Sequence, residues 1–253
     1  MINLVSLLTA ALVSLQCCYV GAAIIDSKNN LNNNLQPNVA PTPRRRLGSF
    51  VKILSAPPES VSLIPGSPLE LSCVVAGHPA PTIQWLKNGE PLPDYEESAN
   101  EILNIHPSSI VQLVTKLVVT TAGNGDEYTC IASSGIKQKI ATTIVYTTEG
   151  QAPLRALFRP STPVIVYYYD TIFQNQGTTV VLPCRVSSYS QAQVYWMDNA
   201  DKLIYGNSRM QVLPSGDLLI SVLEWRDMGN FTCTAKNLYG KVAASTFVYP
   251  VKA

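Results

Sequence analysis

Histidine is almost missing from this chain. His78 and His106 are its only two, and neither stands at metal-ligand spacing from a cysteine or from the other. No Gly-rich phosphate loop occurs. The carboxylates are scattered apart from Asp94, Glu96 and Glu97, which read as solvated charge in one loop. Without a base, a metal site or a phosphate cradle, the chain reads as a binding protein and not an enzyme, with no cofactor. An excess of charge of one sign is also lacking. Eighteen Lys and Arg against seventeen Asp and Glu leave a net charge of +1, which argues against a nucleic-acid partner. The one basic run, Arg44-Arg45-Arg46, sits in a Pro- and Asn-rich leader and reads as solvated. Beyond the first residues no apolar run approaches the ~18 needed to span a bilayer. The end, TFVYPVKA, carries no tail for a lipid anchor, so no membrane insertion is expected.

What is present begins with MINLVSLLTAALVSLQCCYVGAA, an apolar core followed by small residues. It reads as a secretory signal, residues 1–22, although no Lys or Arg precedes the core. A disordered leader, residues 23–49, follows, and the mature chain is expected to be secreted and extracellular. Removing the signal removes Cys17 and Cys18, leaving Cys73, Cys130, Cys184 and Cys233. An even count in an oxidising compartment implies two disulfides, with three pairings formally possible. A repeat surrounds them: Cys73, Trp85, Cys130 and then Cys184, Trp196, Cys233, with each Trp twelve residues after its Cys. Intradomain pairing follows from that repeat.

The repeat resembles the immunoglobulin domain, whose disulfide joins two sheets while a Trp packs on it. In DLLISVLEWRDMGNFTCTAKNLYG the likeness is dense: Leu218, Ile220 and Leu223, then Asp227, Gly229, Phe231 and Cys233, then Asn237 and Gly240 at a turn. The first half is looser, with Asn124, Asp126, Tyr128 and Cys130. The fold expected is all-β: two tandem intermediate-set immunoglobulin-like sandwiches at residues 50–147 and 163–253, joined by a linker at 148–162. One departure is local. The corner tyrosine is present as Tyr128 but replaced by Phe231, removing a hydrogen bond worth about 1 kcal/mol. Beside it, Asn230-Phe231-Thr232 is a glycosylation sequon, and strand alternation turns Asn230 outward.

Alternation also predicts an apolar outer face. With Trp196, Phe231 and Cys233 inward, Tyr195 and Met197 point out. With Val242, Ala244, Thr246 and Val248 inward, Phe247 and Tyr249 do so too. In the first domain, if Ala141, Thr143 and Val145 face in, Ile140, Ile144 and Tyr146 join an outer face. Such clusters mark interfaces. The stretch PVIVYYYD, Pro163 to Asp170, is sticky on both sides. It reads as the first strand of the second domain, with Tyr167 and Tyr169 at the edge of the apolar face. Together with IATTIVYTT it is expected to join the two domains into one extended sheet.

Residues 50–251, most densely after Leu182, also resemble the insect ecdysone-inducible imaginal-morphogenesis proteins, or neural/ectodermal development factors. The likeness is carried by VVLPCRV, SIVQLVTKLVVTTAGNGDEYTC, the short turn at Gly135 and GDLLISVLEWRDMGNFTCTAKNLYGKVAASTFVYPV. The resemblance implies an insect source and a secreted two-domain protein that binds insulin-like peptides and restrains insulin signalling. The peptide would rest on Tyr195, Met197, Phe247, Tyr249, Tyr167, Tyr169, Ile140, Ile144 and Tyr146. The competing use of the same faces is self-association, or heterophilic contact in a secreted adhesion or neural guidance protein.

Overall fold

A computed structural model describes residues 48–64, 66–92, 109–147 and 161–252. Several sequence expectations lie outside the described residues: the signal peptide with Cys17 and Cys18, Arg44 to Arg46, Asp94, Glu96, Glu97, His106 and linker residues 148–160. Among the described residues no helix is long and apolar enough to cross a membrane.

The chain folds into strands because its apolar residues fall at every second position. The first half forms β1 (Phe50–Ser55), β2 (Ser60–Leu63), β3 (Leu69–His78), β4 (Thr82–Lys87), β5 (Glu90–Pro91), β6 (Ile110–Val119), β7 (Asp126–Ser134) and β8 (Lys137–Thr147). Strand β3 buries Leu71, Cys73 and Val75, while β6 buries Val111, Leu113, Thr115, Leu117 and Val119 on one face. Gly135, with φ of 57°, opens the two-residue turn between β7 and β8, where a side chain would be strained. Cys73 bonds to Cys130, 6.7 Å apart at Cα, and the fully buried Trp85 donates from Nε1 to the Thr115 hydroxyl at 3.2 Å.

The second half forms β9 (Val164–Asn175), β10 (Val180–Leu182), β11 (Cys184–Ser187), β12 (Gln193–Met197), β13 (Met210–Val212), β14 (Leu218–Ile220), β15 (Gly229–Asn237) and β16 (Gly240–Val251). Its disulfide is Cys184–Cys233, and buried Trp196 donates to the Gly216 carbonyl at 2.9 Å. Asn237 ties the β15–β16 turn down. Its side chain accepts from the Tyr239 and Gly240 amides and donates to the Ser161 carbonyl and the Ser188 and Ser190 hydroxyls. The corner without a tyrosine is pinned by charge instead. Arg209 grips Asp227 with two hydrogen bonds, 2.7 and 2.5 Å, and the Glu224 amide adds a third at 2.8 Å. In the first domain Tyr128 donates to the Thr121 carbonyl across 3.5 Å.

The strands assemble into three sheets. Eight of them, in the order β1-β3-β6-β9-β16-β15-β12 with β11 also on β9, run through both domains as one sheet. Sheet β2-β8-β7-β4-β5 closes the first sandwich and sheet β10-β14-β13 the second. Strand β9 makes the join. One edge pairs antiparallel with β6, from Thr115↔Tyr167 to Ile110↔Phe173. The other edge pairs with β11 over Val164 to Tyr168, then parallel with β16 from Thr171 to Asn175. A bulge at Asp170, which β6 skips between Gln112 and Leu113, reverses the alternation and lets β9 change partners. Beside the seam the Ser109 hydroxyl donates to the buried Gln174 amide oxygen, and the Gln174 amide donates to Thr178 at 2.8 Å.

Two expectations are corrected here. The stretch VIVYYYD does join the two domains into one extended sheet, but its partner across the junction is β6; IATTIVYTT, strand β8, lies in the other sheet and takes no part. Tyr167 and Tyr169 are 7% and 2% exposed, with their phenol pKa values raised by burial. They fill the core and belong to no surface, because they share a pleat face with Ile165 and sit opposite Thr115 and Leu113.

Candidate binding interface

Register across the long sheet defines its outer face, since directly paired residues point the same way. Phe247 pairs with Thr171, which pairs with Gln112, and on its other side Phe247 pairs with Asn230. The neighbouring row runs Ile110, Phe173, Tyr249. Both rows point away from the cores, because Val111, Leu113, Ile172, Thr246 and Val248 in the alternating positions are buried. The face is therefore continuous from the first domain into the second.

Its apolar centre is aromatic. The Phe173 and Tyr249 rings lie 5.4 Å apart, and Trp225 meets Tyr249 edge-on at 5.9 Å. Trp225 stands on a short 3-10 turn, Trp225–Asp227, that the Arg209–Asp227 pair holds in place. Phe173 is 38% exposed, Phe247 36% and Trp225 51%. Partly exposed aromatic rings packed on one another in this way are typical of contact surfaces. A polar border of Gln112, Thr171 and Asn230 adjoins the cluster, and Lys236 and Lys241 pair across the far end of the same face.

The sequence-predicted residues separate into three groups. Phe247 and Tyr249 are in the cluster. Tyr195 and Met197, half-buried on edge strand β12, share its face, but Thr232 and Thr234 of β15 stand between them and β16. Ile140, Ile144 and Tyr146 take the outward parity expected of β8, with Ile140 61% exposed. They lie, however, on the outer face of the opposite layer of the first sandwich, so they and Phe247 form two surfaces and not one. Asn230 is exposed beside Phe247. Phe173 and Trp225 escape sequence reasoning. The bulge at Asp170 breaks the alternation that would have placed Phe173, and a 3-10 turn has no such alternation to read. Among the described residues no group of His, Cys, Asp and Glu could hold a metal ion.

Comparison with known proteins agrees with the two-domain fold. The immunoglobulin domain family matches residues 52–134 and 162–237. The chain is 31% identical to the neural/ectodermal development factor IMP-L2 of Drosophila melanogaster over 234 residues, covering 90% of this chain and 87% of the relative. It is 33% identical to the Zwei Ig domain protein zig-4 of Caenorhabditis elegans, over 87% and 85% of the two chains. The crystal structure of neural ectodermal development factor IMP-L2 superposes with a TM-score of 0.69 at 31% identity, covering 81% of this chain and 96% of that one. An immunoglobulin architecture with paired disulfides fits a binding or adhesion protein made in an oxidising compartment. The chain belongs to the immunoglobulin-domain family of the neural/ectodermal development factors.

Proposed function

We propose that this chain is a secreted binding protein that sequesters insulin-like peptides and thereby antagonises insulin signalling. The observation that carries the reading is the partly exposed aromatic group of Phe173, Phe247 and Tyr249 on one continuous sheet face, with Trp225 of the adjoining 3-10 turn packed on Tyr249. Peptide hormones bury apolar side chains in their receptors, so a decoy needs an apolar centre with a polar border. Aromatic anchors carry most of the affinity in such contacts. No chemistry is done on the peptide; free hormone falls with binder concentration and affinity. Tyr195 and Met197 extend the platform on the same face.

A Phe247→Ser, Tyr249→Ser double variant tests the placement. With each anchor worth about 2 kcal/mol, affinity for a synthetic insulin-like peptide is expected to fall at least about 100-fold. Titration calorimetry measures it, with circular dichroism confirming the fold. Unchanged affinity in a folded variant would falsify the placement.

The second reading is a secreted immunoglobulin-type adhesion or neural guidance protein. What favours it is the separate apolar face on β8, where Ile140, Ile144 and Tyr146 lie beside the partly exposed Ile131. Sedimentation at micromolar concentration discriminates: a stable dimer abolished by Ile140→Glu supports adhesion, and a monomer supports sequestration.

A further inference from the structure

The aromatic cluster shares its face with a side chain that can be covalently modified. Asn230 opens the sequon Asn230-Phe231-Thr232 and is exposed, and among the described residues its side chain has no hydrogen-bond partner. Its direct cross-strand partner is Phe247. Paired residues of this kind hold their Cβ atoms about 4.5–5.5 Å apart on one face. A pyranose ring attached to Asn230 therefore lies within reach of the exposed Phe247 ring, and the apolar C–H face of such a sugar stacks on an aromatic face. The position of the sequon inside a strand is no obstacle, because the transfer acts on the chain before it folds.

We propose that Asn230 carries an N-linked glycan whose first sugar packs on Phe247 and screens the aromatic cluster, so that glycosylation limits peptide access to this face. In the transfer, Asn230 Nδ2 forms a bond to C1 of an oligosaccharide. The C1–O bond to its polyprenyl diphosphate carrier breaks, the diphosphate leaves, and one amide proton is lost. The glycan is the occupant the geometry favours because its attachment point is inside the face, one strand from the ring it covers. In the glycosylated chain Phe247 is shielded; in the bare chain it is open. The effect on peptide access rests on the function proposed above, whereas stacking on Phe247 does not.

The test uses full-length protein secreted from insect cells. Glycopeptide mapping is expected to find Asn230 occupied. Removing the glycan by Asn230→Gln is expected to lower the melting temperature by about 2–4 °C. In a Phe247→Ser background the same change is expected to lower it by nothing, since the stacking partner is gone. Asn230→Gln is also expected to bind a synthetic insulin-like peptide at least tenfold more tightly than the glycosylated chain. A bare Asn230 overturns the proposal, as does an occupied Asn230 whose removal changes neither melting nor affinity. If neither form binds the peptide, the functional reading falls, and the melting comparison alone decides the stacking.

Discussion

A Tyr169→Ala variant is expected to lose about 3–5 kcal/mol of stability and to lose it in both domains together. Tyr169 is 2% exposed, and its strand lends one edge to β6 of the first domain and the other to β11 and β16 of the second. Truncation leaves a cavity beneath the seam, and the backbone pairing of either sandwich cannot relax without pulling on the other. Urea unfolding followed by tryptophan fluorescence separates the halves. Trp85 reports the first domain and Trp196 the second, each kept in turn with the remaining tryptophans replaced by Phe. Coincident midpoints, shifted equally by Tyr169→Ala, are the expected result. A Trp85 transition that stays at its wild-type midpoint would show that the domains fold independently and that the shared strand carries little energy.

Asp227→Ala is expected to cost about as much, ~3–5 kcal/mol, by a different route. The Asp227 side chain is 3% exposed, and its removal leaves the Arg209 guanidinium, 22% exposed, facing an empty corner. The 3-10 turn that positions Trp225 loses its anchor at the same time. Replacing both partners, Arg209→Met with Asp227→Leu, is expected to cost less than the single change, because no charge is then left unpaired. A pH dependence follows. Burial alone would raise the Asp227 carboxyl, but the Arg209 and Glu224 hydrogen bonds outweigh it and hold the pKa below the usual carboxylate value. In the first domain, hydrogen bonds from Asn88 and Lys87 hold Asp126 down at about 2. Both pKa values are lower in the folded chain than in the unfolded one. Their stabilisation is therefore fully present above the unfolded value of about 4 and is lost as pH falls through the folded values. Acid titration monitored by circular dichroism checks this: Asp227→Asn is expected to flatten the wild-type loss of stability below pH ~4.

The Cys-Trp-Cys repeat made the two sandwiches legible, since disulfide and tryptophan together define where two sheets face each other. Alternation around those fixed points then placed Phe247, Tyr249, Tyr195 and Met197 on the outer face, and Ala141, Thr143 and Val145 on the inner. Where alternation is interrupted, sequence reading fails. The bulge at Asp170 puts Tyr167, Tyr169, Ile172 and Gln174 on one side, a pattern in which the three consecutive tyrosines look equivalent. The choice of β6 over β8 as the partner of β9 was illegible for another reason. Both strands are rich in β-branched residues, and the edge a strand offers is backbone, which sequence does not vary. The two-surface arrangement of Phe247 and Ile140 follows directly from that choice.

The shared strand also sets a timetable for synthesis. The first domain is complete when Thr147 has been made, but the free edge of β6 is capped only when Phe173 has followed, about 26 residues later; at ~5–20 residues per second that interval is roughly 1–5 s. Through it the newborn first domain presents an uncovered ladder of amides and carbonyls, the template on which a neighbouring nascent chain would pair. Variants that stall translation between these two points are therefore expected to aggregate from the first domain, although every residue of that domain is wild type.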